Sequence, residues 1–379
     1  MPNRIANFSL QIPQDQIDDL RRRLAATRWP EAETVTDWSQ GAPLSKVRAL
    51  CAYWQTRYDW RRCETRLNAL GQYRTVIDGL GIHFLHIRSA VPGALPLLMT
   101  HGWPGSVVEF MKVIGPLVDP SAHGGLPSDA FHLILPSLPG YGFSDKPNKP
   151  GWGVERISRA WIELMRRLGY DRYVAQGGDW GAAVTTEIAR AKPSGCVAVH
   201  LNMPLALPED TSDATPAEQE YLARFQRFYL RGRGYSALQG TRPQTLGYGL
   251  TDSPAGQAAW IYEKFQDWSD CGGDPENIFT LDELLDNIML YWLPATAASS
   301  ARLYWESIAH GFRARPVDIP VGLSVFPKEL TPVSRRWAEK VYSNLIHFNE
   351  MDRGGHFAAM EQPALFVKEI RDCFRRLRQ

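Results

Sequence analysis

The sequence predicts an α/β protein: a mostly parallel sheet with helices on both faces, preceded by a helical N-terminal extension and interrupted by a helical cap. Three observations carry this expectation. From about Tyr73 onward, short β-rich runs alternate with helical patterns, the signature of βα units building a buried parallel sheet. The alternation stops near Leu205 and resumes near Asp318, leaving an aromatic-rich, mainly helical stretch between. Before about Leu70 the apolar residues carry helical spacing.

In the N-terminal extension, residues 1–72, Ile17, Leu20 and Leu24 fall at i, i+3 and i+7, and Trp29-Pro30 is expected to close that helix. A second helix is expected from Ser45, with Val47, Leu50, Cys51 and Trp54 on one face. The first part of the core, residues 73–204, holds candidate strands Ile82–Ile87, Leu95–Thr100, Phe131–Leu135, Tyr173–Gln176 and Val197–Leu201. Ser106 and Glu109 read as a capping box opening a helix, and Glu155–Leu168 as a longer amphipathic helix. The cap, residues 205–317, contains another capping box, Thr280 with Glu283. The core resumes over residues 318–379 with strands Val321–Phe326 and Leu345–Phe348. An insertion between strands of such a sheet overlies the C-terminal strand ends, where ligands bind.

The chain has 379 residues, 44% hydrophobic and 22% charged, an ordinary globular composition. A net charge of +1 gives no ground for nucleic acid or an anionic membrane as partner. Arg21–Arg23 and Arg375–Arg378 lie in amphipathic patterns and read as solvated helix faces. Cys51, Cys63, Cys196, Cys271 and Cys373 are scattered and form no CxxC pair, so neither a disulfide framework nor a zinc site is expected. Met1–Leu10 lacks the basic-then-apolar order of a signal peptide, and no apolar run approaches the roughly 20 residues that span a bilayer. The expectation is a soluble, cytoplasmic protein without a membrane anchor. His83 and His86, three apart on an expected strand, point to opposite faces. His123, His132, His200, His310 and His347 show no ligand spacing. No metal and no cofactor is expected, and the choice between monomer and homodimer stays open.

The chemistry is carried by three motifs. Gln176-Gly-Gly-Asp-Trp-Gly181 follows a short strand and precedes a helical run. It has the shape of a nucleophile elbow with Asp179 in place of serine, its glycines permitting the sharp turn that exposes the central side chain above the sheet. The bland alternative is a turn whose aspartate caps the next helix. His101-Gly-Trp-Pro-Gly-Ser106 follows the strand Leu95–Thr100, where hydrolase-fold enzymes supply an oxyanion donor. The backbone N–H of Trp103 is the expected donor, with that of Trp180 as the second. Arg353-Gly-Gly-His-Phe357 puts His356 on a tight loop before the last helix, the position of this fold's base. Nucleophile, acid and histidine in that chain order predict an α/β-hydrolase fold. Glu329, after the strand Val321–Phe326, is the expected acid; Asp352, on the same short loop as His356, is the weaker candidate.

A carboxylate nucleophile narrows the reaction. It is ionised at neutral pH, so the histidine is free for another task. Attack on an acyl carbon would give an anhydride, with little gain. Attack on a saturated carbon bearing a leaving group gives an alkyl ester, which His356 can hydrolyse by activating water. Epoxides and alkyl halides fit. An epoxide leaves as an alkoxide and needs a proton, which a tyrosine of pKa about 10 can give while staying protonated at neutral pH. The cap holds many tyrosines, and physics alone does not choose among them. A halide needs only N–H donors, and Trp180 keeps that option open.

At this point nearly the whole chain resembles the microsomal-type epoxide hydrolases. The likeness rests on His101–Ser106, Gly177–Gly181, Asp282–Trp292, Phe326–Glu329 and Gly354–Glu361. The resemblance implies Asp179 as nucleophile, His356 as base, Glu329 as its orienting acid, and two lid tyrosines. One falls on Tyr304; the other on Tyr235, with Tyr229 and Tyr248 close by. His101, Pro104 and Trp292 are expected to line the substrate pocket, and water and a small apolar epoxide to be the reactants. The membrane-anchoring N-terminal helix of animal members has no counterpart in the sequence, so microsomal location does not carry over. The rivals are a haloalkane dehalogenase, which shares the Asp nucleophile and following Trp, and a catalytically silent hydrolase-fold binding protein. The helical extension and the Tyr304 motif speak against the first, the intact triad against the second.

Overall fold

The computed structural model describes residues 4–378 apart from His310, so His310 and the first three residues of the extension lie outside the described residues. Nine strands form one sheet: β1 Ala6–Phe8, β2 Gln72–Ile77, β3 Leu80–Ile87, β4 Leu95–Thr100, β5 Phe131–Pro136, β6 Tyr173–Gly177, β7 Cys196–Leu201, β8 Val321–Val325 and β9 Leu345–Glu350, in the order β1-β2-β3-β5-β4-β6-β7-β8-β9. Pairing is parallel from β5 through β9 and antiparallel among β1, β2, β3 and β5. The central strands β4, β6 and β8 are buried along their whole length, as expected where helices cover both faces.

The sequence reading has no counterpart for β1 or β2. The signal for β2 is local: Ile77 pairs with Leu80 across Asp78-Gly79, and both turn residues have positive φ, 52° and 79°. That is the two-residue turn whose twist suits a hairpin, and Asp-Gly is among its preferred pairs. The first helix, Gln14–Ala25, buries Ile17, Leu20 and Leu24 but ends before Trp29-Pro30. The second, Leu44–Thr56, buries Val47, Leu50, Cys51 and Trp54. A third, Trp60–Asn68, completes the extension.

The cap lies between β7 and β8 and is built from helices that include Pro216–Arg227, Gly234–Thr241, Pro254–Asp267, Leu281–Trp292 and Ala297–Ser307. The extension straps it down. Tyr58 Oη donates to Asp286 Oδ1 at 2.7 Å, Arg62 pairs with the same oxygen at 2.7 Å, and the Trp54 indole N–H reaches Met289 Sδ at 3.3 Å. Leu20, Leu50 and Trp54 are buried, Trp54 against Met289 and Trp292 of the cap. Each such side chain is worth about 1.5–3 kcal/mol, whereas exposed pairs such as Arg22–Asp19 are worth about 0–1 kcal/mol. No helix among the described residues is long and apolar enough to cross a membrane.

Candidate active site

Three loops at the C-terminal ends of β4, β6 and β9 converge, and close packing explains their glycines. Asp179 sits between β6 and the helix Trp180–Ala191 at φ 50°, ψ −129°, a strained conformation for a non-glycine residue. Its carboxyl makes no capping bond to that helix, so the bland reading of this aspartate fails. A Cβ on Gly181 would lie 1.9 Å from Thr100 O, and one on Gly177 would lie 2.1 Å from Gly181 O. Only glycine lets the elbow fold this tightly against β4.

The Asp179 carboxyl is not open to solvent as the elbow alone suggests: the residue is 6% exposed, because the cap covers it. Oδ1 accepts from the Trp103 N–H at 2.8 Å. Burial raises the carboxyl above its ordinary range, opposed by His356 and by the N–H groups of Trp180 and Trp103.

His356 lies on its own glycine loop. Gly354 adopts φ 99°, and a Cβ on Gly355 would stand 2.5 Å from Trp268 O. The His356 N–H donates to that same cap carbonyl at 2.9 Å. On the imidazole, Nδ1 lies 2.8 Å from Glu329 Oε1 and Nε2 lies 3.5 Å from Asp179 Oδ2. Burial alone would push the imidazole down, but Glu329 and Asp179 lift it to about 9. Glu329 is fully buried, and its Oε1 also accepts from the Leu330 N–H at 2.6 Å. Asp352 instead points outward, its side chain 76% exposed beside Arg353.

Among the cap tyrosines, Tyr235 and Tyr304 are brought to this place, while Tyr229 and Tyr248 are exposed. Their rings stand 5.8 Å apart at 80°. Tyr235 stacks on the Trp103 indole at 5.0 Å, and Tyr304 meets the Trp180 indole edge-on at 4.8 Å. Burial raises both phenols well above their usual value, and the Asp179 charge adds to it. Tyr304 Oη has no hydrogen-bond partner among the described residues.

The three expected pocket residues are placed differently. His101 lines the small cavity beside Asp179, its ring held between Gly102 O and the Leu138 N–H. The Pro104 carbonyl accepts from Asn287 Nδ2 of the cap at 2.7 Å. Trp292 is a correction. Asn287 and Tyr291 use the inner face of their helix to bond Pro104 O and Gly105 O, so Trp292, one step round, meets Trp54 of the extension. A second correction concerns Ser106 and Glu109. Ser106 Oγ accepts from Val108 N and donates to Asn287 Oδ1. The Glu109 carboxyl turns toward Gly105 and lines the same cavity as Asp179 and His356. Ser106 still caps the turn Val107–Phe110, and only the reciprocal Glu109 half of the expected capping box is absent. The Trp268 carbonyl was also missed, since nothing in a cap sequence marks one backbone oxygen.

No group of His, Cys, Asp or Glu among the described residues is arranged to hold a metal ion. His83, His86, His132, His200 and His347 are engaged in contacts of their own, such as His83 with Ser137 and Gln72 and His347 with Glu369.

Residues 5–110 match the family described as epoxide hydrolase N terminus, and residues 96–250 match the alpha/beta hydrolase fold. A Stigmatella aurantiaca relative is 62% identical over 99% of this chain and 86% of its own length. Epoxide hydrolase 1 of Oryctolagus cuniculus is 37% identical over 97% of this chain and 88% of its own. The chain belongs to the epoxide hydrolase family. Among solved structures in that family, juvenile hormone epoxide hydrolase of the silkworm Bombyx mori aligns with a TM-score of 0.91 at 32% identity, covering 99% of this chain and 96% of that one. The Aspergillus niger epoxide hydrolase gives 0.88 at 32% identity, covering 98% and 96%. This epoxide hydrolase family member thus keeps the α/β-hydrolase core, and the match to the family's N terminus spans the extension and runs on through β4 to Phe110.

Proposed function

We propose that this enzyme hydrolyses a small apolar epoxide to a vicinal diol in two steps. The observation that carries the reading is one buried carboxylate, Asp179, flanked by His356 with Glu329 and within electrostatic reach of two buried phenols, Tyr235 and Tyr304. Asp179 attacks a ring carbon, and Tyr304 with Tyr235 gives the proton that the departing alkoxide takes. The positively charged imidazole keeps Asp179 ionised until it attacks. Once Asp179 is an ester its charge is gone, one support of the raised His356 value disappears, and the imidazole becomes a base able to take a proton from water. The N–H groups of Trp103 and Trp180 then hold the oxyanion formed at the Asp179 carboxyl carbon. Trp103, Trp268 and the two tyrosines supply an aromatic wall suited to an apolar substrate. The five cysteines, all free and buried, support a reducing, cytoplasmic setting.

One observation keeps dehalogenation as a second reading: the buried Trp180 indole N–H has no partner among the described residues. The trapping experiment separates the two. His356→Gln should permit alkylation of Asp179 and block hydrolysis of the ester, so intact-protein mass spectrometry will show the adduct. Styrene oxide adds its whole mass; a chloroalkane loses chloride and adds only the alkyl remainder. The expected adduct comes from the epoxide and maps to the peptide holding Gly177–Gly181. An adduct from the chloroalkane alone would overturn the epoxide reading, and none from either would overturn covalent catalysis.

A further inference from the structure

The loop after β4 makes room for two carboxyl groups. A Cβ on Gly102 would lie 2.1 Å from Asp179 Oδ1, and one on Gly105 would lie 2.2 Å from Glu109 Oε2. Glu109 is therefore seated in space that only glycine leaves, as Asp179 is. Between them is a cavity whose lining includes Glu109, Asp179, His356, Gly102, Gln176 and Asn202, with about 20 Å³ open to the centre of a water molecule. One water needs about 10–15 Å³ by this measure. The cavity is the size of a water site and far too small for an organic substrate.

We infer that Glu109 is a further catalytic residue: it holds the water that hydrolyses the Asp179 ester, accepting a hydrogen bond from one O–H while His356 Nε2 takes the proton of the other. This rests on the two-step reading proposed above. The water oxygen forms a bond to Cγ of Asp179, and its proton passes to His356. Collapse of the tetrahedral species breaks the bond from Cγ to the substrate oxygen, which takes that proton from His356 as the diol leaves. The second proton leaves the regenerated carboxyl group, the tyrosinate left by ring opening regains one in exchange, and Glu109 ends the cycle unchanged. Burial pushes the Glu109 carboxyl up to about 8, opposed by the charge of His356 and reinforced by that of Asp179.

The test separates the half-reactions by rapid mixing of excess enzyme with styrene oxide, followed by acid quench and intact-mass analysis. Glu109→Gln should alkylate within about threefold of the wild-type rate and hydrolyse its ester about 10²-fold more slowly, the lower end of what a positioned acid–base group contributes. Gly105→Ala should behave alike, because its Cβ displaces the end of a flexible side chain and leaves the backbone unstrained. It keeps the carboxyl in the protein, so it guards against a folding defect in Glu109→Gln. Ester hydrolysis within threefold of wild type in both variants would overturn the inference, as would equal slowing of both steps. His356→Gln is the control: an adduct there with none accumulating in Glu109→Gln rejects the role of Glu109 alone, and no adduct in any variant rejects the two-step reading with it.

Discussion

His356 presents Nε2 to Asp179 Oδ2 at 3.5 Å, farther than the 2.8 Å that separates its Nδ1 from Glu329. The imidazole is anchored to Glu329 and only ion-paired with the nucleophile, so esterifying Asp179 removes charge without loosening the ring. The two half-reactions should therefore titrate differently. Alkylation needs Asp179 ionised, and burial raises that carboxyl, so its rate will fall on the acid side at a pH above the ordinary aspartate value of about 3.9. Hydrolysis needs His356 neutral. With the Asp179 charge gone, its midpoint will lie below the value of about 9 in the free enzyme, and the rate will climb with pH to a plateau. Single-turnover measurements from about pH 3.5, below the ordinary aspartate value, to about pH 10 read both; a hydrolysis midpoint at or above 9 would show that Asp179 does not support the imidazole's charge.

The lid phenols are expected to share one task. Tyr304→Phe and Tyr235→Phe should each slow alkylation modestly, since either hydroxyl can partly serve the alkoxide. The double variant should lose about 10²–10⁴ in the alkylation rate, the usual contribution of a positioned acid, while ester hydrolysis stays near wild type. Stopped-flow tryptophan fluorescence follows the first step, because Trp103 and Trp180 adjoin both rings. Unimpaired alkylation in the double variant would assign the proton to another group.

Stability offers a check away from the chemistry. Glu369 is buried at the join of β8, β9 and the last helix, Pro363–Arg375, where it accepts from Ser324 Oγ at 2.9 Å and meets His347 Nε2 at 2.6 Å. Burial works against its charge, but His347, Asn349 and Ser324 outweigh it and lower the carboxyl to about 2. A folded value below the unfolded one, about 4.3, means the stabilisation is complete above the unfolded value and is lost as pH falls through 4 toward 2. Glu369→Gln should thus cost about 1–3 kcal/mol at pH 7, seen as a lower urea midpoint. The difference from wild type should narrow below about pH 4. A constant gap from pH 7 to pH 3 would mean the carboxylate's charge is not what holds these elements together.

What was legible in the sequence is what local physics writes there. Turn chemistry marked the elbow at Asp179 and the glycine loop at His356, because a tight turn must place glycine at fixed offsets. Helical periodicity marked Leu50 and Trp54, because one face of that helix is buried. The chain order of the three motifs then predicted which fold brings them together. Even the missed hairpin was written locally, in Asp78-Gly79.

Long-range packing decided the rest. Tyr235 rather than Tyr229 or Tyr248, Trp292 against the extension and Glu109 beside the nucleophile all depend on how distant elements pack. The cap is positioned by contacts between residues far apart in the chain: Tyr58 with Asp286, and the Trp268 carbonyl with the His356 N–H. Such pairs leave no periodic trace, because neither partner's neighbours are constrained by the other. The sequence by itself determined which backbone turns can present a nucleophile and a base. Only the tertiary structure decided which side chains face them, since that depends on the angle at which the cap helices settle on the sheet.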